Sequence, residues 1–160
     1  MIKKIVIFIM LLFTFDACTG LQVEKQESAF IVMKTATFKY ADMGFISNSS
    51  SRVKVEIYGA GQPLLSLEIN GMNVCMSTFE CMEKKEFNEK ILNASYPETL
   101  LENIFRAKPI FDKKNFVKTE DGFSQKLTKE SEYDISYSVK GNQRIFRDKL
   151  NKILIKVREQ

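Results

Sequence analysis

Hydrophobic and polar residues alternate along the first half of the chain, which is the pattern of β-strands. Residues 52–59 read RVKVEIYG and place Val53, Val55 and Ile57 on one side of the segment, with charged residues on the other. This period of two predicts a strand of an antiparallel sheet that buries one of its faces. Residues 35–47 alternate more roughly and predict another strand, followed by the turn-like string NSSS.

A hairpin is the clearest local prediction. The segments PLLSLEI (63–69) and MNVCMSTF (72–79) flank the dipeptide Asn70-Gly71. Asn-Gly readily takes the two positive-φ positions of a type I′ turn, whose twist matches the strands on either side. Together with the strands above, this hairpin predicts a four-stranded meander before residue 80.

The spacing of apolar residues becomes helical after the meander. KKEFNEKILN (84–93) and SYPETLLENIFRA (95–107) each carry apolar residues on one side. Ser95 and Glu98 have the spacing of a capping box, and Pro97 suits a first helical turn. The apolar stripe of the second segment consists of Leu100, Leu101, Ile104 and Phe105. We expect these two helices to form a lid or plug on a sheet.

Strand patterns return in the last part of the chain. NFVKTEDGFSQKL (115–127) contains Asp121-Gly122 as a second predicted hairpin turn, and EYDISYSVK (132–140) alternates cleanly. After Gly141-Asn142, the segment KILIKVRE (152–159) alternates in the same way. Strands, two helices and strands again predict an α+β fold, in which a curved antiparallel sheet carries helices on its concave side.

The N-terminus has the pattern of an export signal. Two lysines precede an apolar run at residues 5–15, which Asp16 closes. A membrane-spanning helix needs about 20 apolar residues, so the run is a signal-peptide core and not a span. Ala17-Cys18 fits the site at which bacterial lipoprotein precursors are acylated and cleaved. The alternative is ordinary cleavage nearby, with Cys18 as an incidental thiol.

The chain is therefore predicted to have three parts. Residues 1–17 form the signal peptide, residues 18–28 a lipidated polar tether, and residues 29–160 a single domain. Thr19, not Asp, follows the cysteine, which by the sorting habit of enteric bacteria predicts an anchor on the periplasmic face of the outer membrane. Two or three acyl chains on Cys18 would hold the domain there stably.

Composition excludes several classes of function. The chain has no histidine, so it can contain neither a Ser-His-Asp catalytic triad nor a Cys-His dyad, and no histidine can complete a metal site. No Gly-rich phosphate loop follows a strand. The formal net charge of +4 is too mild and too mixed to favour nucleic acid. The sequence predicts a protein that is not an enzyme and that binds no metal or other cofactor.

Cys75 and Cys81 remain as a pair once Cys18 is acylated. Six residues apart on one extended strand they would lie about 20 Å from each other, so a disulfide requires a turn or bulge between them. We expect two semi-buried free thiols, with the disulfide as the alternative.

Three segments resemble the LolA/LolB-like superfamily of lipoprotein carriers and receptors, most closely the outer-membrane receptors. They are VKVEIYGAGQPLLSLEINGMNVCMS (53–77), LLENIFRAKP (100–109) and GFSQKLTKESEYDISYSV (122–139). The likeness runs from about Phe38 to Val157. It implies an unclosed β-barrel with a helical lid around an apolar cavity, which accepts the acyl chains of a lipoprotein and inserts them into the outer membrane.

The resemblance also implies positions for the site. The acyl-chain cavity is expected at Phe38, Val55, Ile57, Leu65, Leu67, Leu101, Ile104, Phe105, Ile135 and Tyr137. The family's receptors present a bulky leucine in the loop that matches GAGQ, where this chain has Ala60, and Leu64 is the expected substitute in membrane insertion. We expect a monomer whose partners are membrane lipid, a LolA-like periplasmic carrier and lipoprotein cargo. The competing hypothesis is a non-catalytic structural or protein-binding lipoprotein, in which the same residues form a filled core.

Overall fold

A computed structural model describes residues 24–77 and 80–160. The predicted signal peptide, Cys18 and the tether up to residue 23 lie outside the described residues. The first strands are β1 (Lys25–Lys34), β2 (Lys39–Asn48), β3 (Val53–Gly59), β4 (Gln62–Ile69), β5 (Asn73–Met76) and β6 (Glu80–Glu83). Two helices follow, α1 (Lys84–Ile91) and α2 (Leu100–Phe105), and a single 3₁₀ turn at Phe111–Lys113. The last strands are β7 (Phe116–Thr119), β8 (Gly122–Lys129), β9 (Tyr133–Lys140), β10 (Gln143–Asp148) and β11 (Ile153–Glu159).

The strands form one curved, unclosed antiparallel sheet of eleven strands. Its order is β6-β5-β4-β3-β2-β1-β11-β10-β9-β8-β7. Neighbours within β1–β6 and within β7–β11 are consecutive in sequence, and the two halves meet where β1 pairs with β11. β6 and β7 are the two edges of the sheet, and the chain that connects them contains both helices. The predicted mostly antiparallel sheet is therefore confirmed.

One face of the sheet is buried against the helices. Inward positions alternate along each strand, as at Val53, Val55 and Ile57 on β3, and each of these three side chains is 0% exposed. The helical residues Leu100 and Ile104 belong to the same cluster of buried side chains. Burial of apolar surface on this face is the main source of stability for the domain.

Three strands were not predicted, namely β1, β6 and β10. β1 begins at Lys25, so the last residues of the predicted tether are part of a strand. Its apolar run AFIVM does not alternate, which hides the period of two. β10 is missing from the prediction because two of its three buried positions hold Arg144 and Asp148. The predicted four-stranded meander before residue 80 is wrong, because five complete strands precede that residue and β6 starts at Glu80.

The predicted hairpin at Asn70-Gly71 is confirmed, but its turn type is wrong. Neither Asn70 nor Gly71 has a positive φ. Instead, the Asn70 side-chain oxygen accepts a hydrogen bond from the Asn73 N–H at 2.9 Å, and the Asn70 N–H donates to the Asn73 carbonyl at 3.0 Å. The asparagine side chain thus closes the turn in place of a left-handed backbone.

The predicted capping box of the second helix is also wrong. α2 begins at Leu100, its N-cap is Thr99, and no side chain caps it. The Ser95 N–H donates to the Asn93 side-chain oxygen at 2.8 Å, so Ser95 lies in the turn before the helix. The residues between α1 and α2 are held by Asn88, whose amide donates to the carbonyls of Tyr96 and Pro97, each at 3.2 Å.

Cys75 and Cys81 form a disulfide, which corrects the expectation of free thiols. They are opposite each other in the β5–β6 hairpin. The antiparallel pairing of β5 with β6 brings the cysteines together, which a single extended strand would not do. The disulfide closes the hairpin at one edge of the sheet.

Candidate functional site

The predicted cavity positions lie together on the buried face of the sheet. Nine of them are at most 3% exposed: Val55, Ile57, Leu65, Leu67, Leu101, Ile104, Phe105, Ile135 and Tyr137. Phe38, just before β2, is half-buried and packs against the same cluster. The strands and α2 therefore bring all the predicted positions into one apolar interior, in which these side chains contact one another.

The predicted insertion loop is the turn between β3 and β4. Ala60 and Gly61 occupy its tip with φ of 50° and 78°, the left-handed region that glycine favours and that strains alanine. Leu64 is 45% exposed, whereas the next residue, Leu65, is buried at 3%. Leu64 is thus a large apolar side chain exposed on β4, next to this turn.

The connection between the two edge strands covers the buried face. We call residues 84–115 the helical segment. Its buried apolar side chains are Phe87, Tyr96, Leu100, Leu101, Ile104, Phe105 and Ile110. The segment is fastened to the sheet chiefly by side chains, through the three groups of contacts described next.

The first fastening is a hydrogen bond of Arg106, which also belongs to an ion-pair bridge within the helical segment that is centred on Glu102. Its carboxylate accepts from Lys84 Nζ and from Arg106 Nε, each at 3.0 Å. Arg106 Nη2 also donates to the carbonyl of Arg52, just before β3, at 3.3 Å. Burial raises the pKa of Glu102, but the hydrogen bonds from Lys84 and Arg106 lower it by more, so this carboxylate stays charged.

The second fastening joins Tyr96 to Asp148, which is the last inward position of β10. The Tyr96 hydroxyl donates to Asp148 Oδ2 at 2.5 Å, and Asn151 Nδ2 donates to the same oxygen at 2.7 Å. Asp148 Oδ1 accepts from the backbone N–H groups of Asp134, Leu150 and Asn151 at 3.1, 2.9 and 3.2 Å. Asp148 is 0% exposed, so these bonds replace all of its contact with water.

Hydrogen bonding decides the charge of this pair. Burial raises the pKa of Asp148, but hydrogen bonds from Tyr96, from Asn151 and from backbone N–H groups lower it further, to below its ordinary value. The pKa of Tyr96 is raised, first by burial and then by Asp148. The pair therefore consists of a carboxylate and a neutral phenol.

The third fastening is Gln125 on β8, which is 1% exposed. Its side chain accepts from the Ile110 N–H at 2.8 Å and donates to the carbonyls of Ile110 and Lys114 at 2.9 and 2.7 Å. Between these two residues, Phe111, Asp112 and Lys113 have φ of 46°, 51° and 64°. A run of non-glycine residues in this region is strained, so the end of the helical segment is held in a costly conformation.

The largest hollow among those described lies on the other face of the sheet. It measures about 560 Å³. Its lining residues Ser124, Ser136, Ser138 and Ile145 alternate along β8–β10 with core residues, and the core residues Gln125 and Tyr137 line it as well.

Sequence reasoning missed the buried polar residues of the site. They are Lys84, Asn88, Gln125, Arg144 and Asp148. For the two on β10 a signal existed: the predicted turn at Gly141-Asn142 sets a register in which Arg144, Phe146 and Asp148 share one face.

Within residues 24–77 and 80–160, no group of three or more Cys, Asp and Glu side chains could hold a metal ion. In the same part of the chain, no helix has the length and apolar character that crossing a membrane requires. What the geometry provides is an apolar interior beneath a segment fastened at its periphery.

Comparisons with known proteins add no family. No protein-family model matches the chain, and no curated protein matches it.

Proposed function

We propose that this protein binds acyl chains between its curved sheet and the helical segment, as a lipoprotein anchored through Cys18 on the periplasmic face of the outer membrane. In this proposal the sheet is an unclosed β-barrel, the helical segment is its lid, and the protein accepts lipoproteins or lipid from a LolA-like carrier for insertion into the membrane. The proposal contains no catalytic step and no cofactor.

One observation carries the proposal: an apolar interior lies between two sheet edges that are connected only through the helical segment. Apolar packing and the hydrogen bonds of Arg106, Tyr96 and Gln125 hold the segment on the sheet, so it can lift without breaking a pair of strands. The strained turn at Phe111–Lys113 lies at the end of the segment, next to edge strand β7, where such a movement would pivot.

The free energy gained by burying an acyl chain can offset the cost of exposing the apolar side chains of α2. Lifting α2 exposes apolar surface, at about 25 cal/mol for each Å². An acyl chain that enters in its place contributes about 0.8 kcal/mol for each buried methylene, so a long chain can offset the exposed helix face. The acyl chain then moves from a carrier that binds it less tightly to this interior, and from this interior into the bilayer.

Exposed apolar residues on β7 support access from that edge. Phe116 is 40% exposed and faces the same side as the core, since it pairs with the inward residue Gln125. Its ring lies 5.1 Å from that of Phe123, whose ring lies 5.6 Å from that of Tyr137. A row of aromatic rings thus leads from the open edge into the interior.

The test combines binding with stability. Protein made without the signal peptide and with Cys18 replaced by Ala is titrated with a fluorescent fatty acid, and the same samples are unfolded by heat. We expect the wild-type interior to bind the probe, and Ile104→Gln and Phe105→Gln to weaken binding several-fold while the fold survives, because water or a lifted helix can hydrate the new amide. Leu150→Gln, at a site 51% exposed, is the matched control.

A second function is favoured by the close packing of the interior. If the core is permanently filled, the protein is a structural or protein-binding lipoprotein. Burying an unpartnered amide would then cost about 1–3 kcal/mol, and both interior variants would be strongly destabilised. Absence of probe binding to the wild type, together with that loss of stability, would replace the acyl-binding proposal with this one.

A further inference from the structure

Polar side chains occupy the inward-facing rows at one end of the sheet, beside the end of α2. Glu27 on β1, Asn48 on β2, Arg144 on β10 and Glu159 on β11 each lie two residues from a buried apolar residue of the same strand. Together with Lys25 and Phe105 they line a hollow of about 260 Å³, which we call the mouth hollow. The apolar interior begins directly behind it, at Phe105.

Arg144 has two donors without an acceptor. The residue is 6% exposed, and its Nη1 donates to Glu159 Oε1 at 2.5 Å. Nε and Nη2 are buried and have no hydrogen-bond partner among the described residues. These two nitrogens form one edge of the guanidinium, the edge that binds a carboxylate or phosphate through two parallel hydrogen bonds. Buried donors are almost always satisfied, so a free pair points to an absent acceptor.

Tyr137 adds a third donor beside Arg144. Tyr137 is opposite Phe146 and Arg144 is opposite Val139 in the β9–β10 pair, so Tyr137 and Arg144 are diagonal neighbours on the inward face. The Tyr137 hydroxyl is also buried without a partner. Burial raises the pKa of Tyr137 and the positive charge of Arg144 opposes that rise, which indicates that the charge reaches the phenol.

The charges around the mouth hollow favour an anion. Three basic side chains, Lys25, Arg106 and Arg144, line it with two acidic ones, Glu27 and Glu159. Both carboxylates already have cationic partners, because Glu27 pairs with Lys25 and Glu159 with Arg144. The third basic side chain, Arg106, shares Glu102 with Lys84, so one positive charge remains in excess across this set of ion pairs.

We propose that Arg144 Nε and Nη2, with the Tyr137 hydroxyl, which is buried and does not line the mouth hollow, bind an oxyanion that enters through the mouth hollow: the carboxylate or phosphate group of an amphiphile whose chain enters the interior beside Phe105. The choice of an amphiphile rests on the proposed function. The oxyanion site itself rests only on the unpartnered donors. A free carboxylate or phosphate ion could bind to them in the same way as the headgroup of an amphiphile.

The experiment separates these sources. The full lipidated chain in lipid nanodiscs is titrated by calorimetry with octanoate, 1-octanol, acetate and inorganic phosphate, with empty nanodiscs as blanks. We expect octanoate to bind at least about tenfold more tightly than octanol, the difference that a hydrogen bond to a charged group makes. Arg144→Lys keeps a positive charge beside Glu159 but loses the two parallel donors of the guanidinium. Tyr137→Phe removes only an unpartnered hydroxyl. Both variants should therefore fold, and both should lose most of the preference for octanoate.

Arg158→Gln is the matched control, since Arg158 is exposed on β11 and lies outside the mouth hollow. Equal binding of octanoate and octanol, unchanged in both variants, would overturn the oxyanion site and leave acyl binding intact. Binding of acetate or phosphate that the variants weaken, without any gain from an eight-carbon chain, would support the site and refute acyl binding. No binding of any of the four compounds would overturn both.

Discussion

Removing the Tyr96 hydroxyl should destabilise the domain measurably. In Tyr96→Phe the ring keeps its place among Phe111, Tyr133 and Phe146, whose centroids lie 6.4, 6.4 and 6.0 Å away, so only the hydrogen bond to Asp148 is lost. A hydrogen bond to a charged group contributes about 1.5–3 kcal/mol, and this is the expected loss in free energy of unfolding. Asp148→Ala should cost more, about 3–5 kcal/mol, since it leaves several buried donors without an acceptor.

The assay is urea unfolding followed by far-ultraviolet circular dichroism, because the chain has no tryptophan. Tyr40→Phe, at a half-buried tyrosine outside this network, is the matched control. A Tyr96→Phe variant within about 0.5 kcal/mol of wild type would refute the reasoning, since surface changes give values of that size.

The same pair predicts a dependence on pH. The folded protein holds the pKa of Asp148 below its ordinary value of 3.8, so its stabilising contribution is complete above that pH and is lost as the pH falls through the folded pKa. Wild-type stability should therefore decrease below about pH 4, and Asp148→Ala should lose less over the same range. Equal acid sensitivity of the two proteins would show that Asp148 does not carry this effect.

Three further predictions concern other parts of the chain. Replacing both Cys75 and Cys81 by Ala should lower stability by about 2 kcal/mol, the entropy of closing so short a loop, and thiol titration of the denatured wild type should detect neither cysteine until reductant is added. Gly44→Ala should destabilise by about 1–3 kcal/mol in urea unfolding, because its Cβ would lie 2.0 Å from the carbonyl oxygen of Glu56; an unchanged midpoint would contradict this. Cys18→Ala should release the protein from membranes, and wild-type protein that incorporates no labelled palmitate would contradict the anchor.

The sequence predicts most clearly those strands in which apolar inward positions alternate with polar outward ones. β3 and β9 alternate cleanly. The buried face of β3 carries Val53, Val55 and Ile57, and that of β9 carries Tyr133, Ile135 and Tyr137. The hairpins at Asn70 and Asp121 were also predictable, because their turn residues are local signals.

Residues that act through distant partners could not be predicted. Arg144 and Asp148 break the apolar period of β10, and their burial depends on Glu159 and Tyr96, which are remote in sequence or on another element. The disulfide follows from a turn whose position a polar-apolar pattern does not specify. The capping prediction failed because the Ser95 N–H donates to Asn93 and not to Glu98, and because α2 begins only at Leu100.

The pairing of β1 with β11 has a consequence for folding kinetics. β1–β6 and β7–β11 are built from consecutive hairpins that need only local contacts, whereas the ladder that joins Ala29 to Glu159 links residues from opposite ends of the chain. Contacts of such long sequence separation form slowly, because the intervening chain must lose its freedom first. The two half-sheets should therefore form early, before β1 and β11 pair with each other. Pairing of β1 with β11 should then limit the rate at which the complete sheet forms.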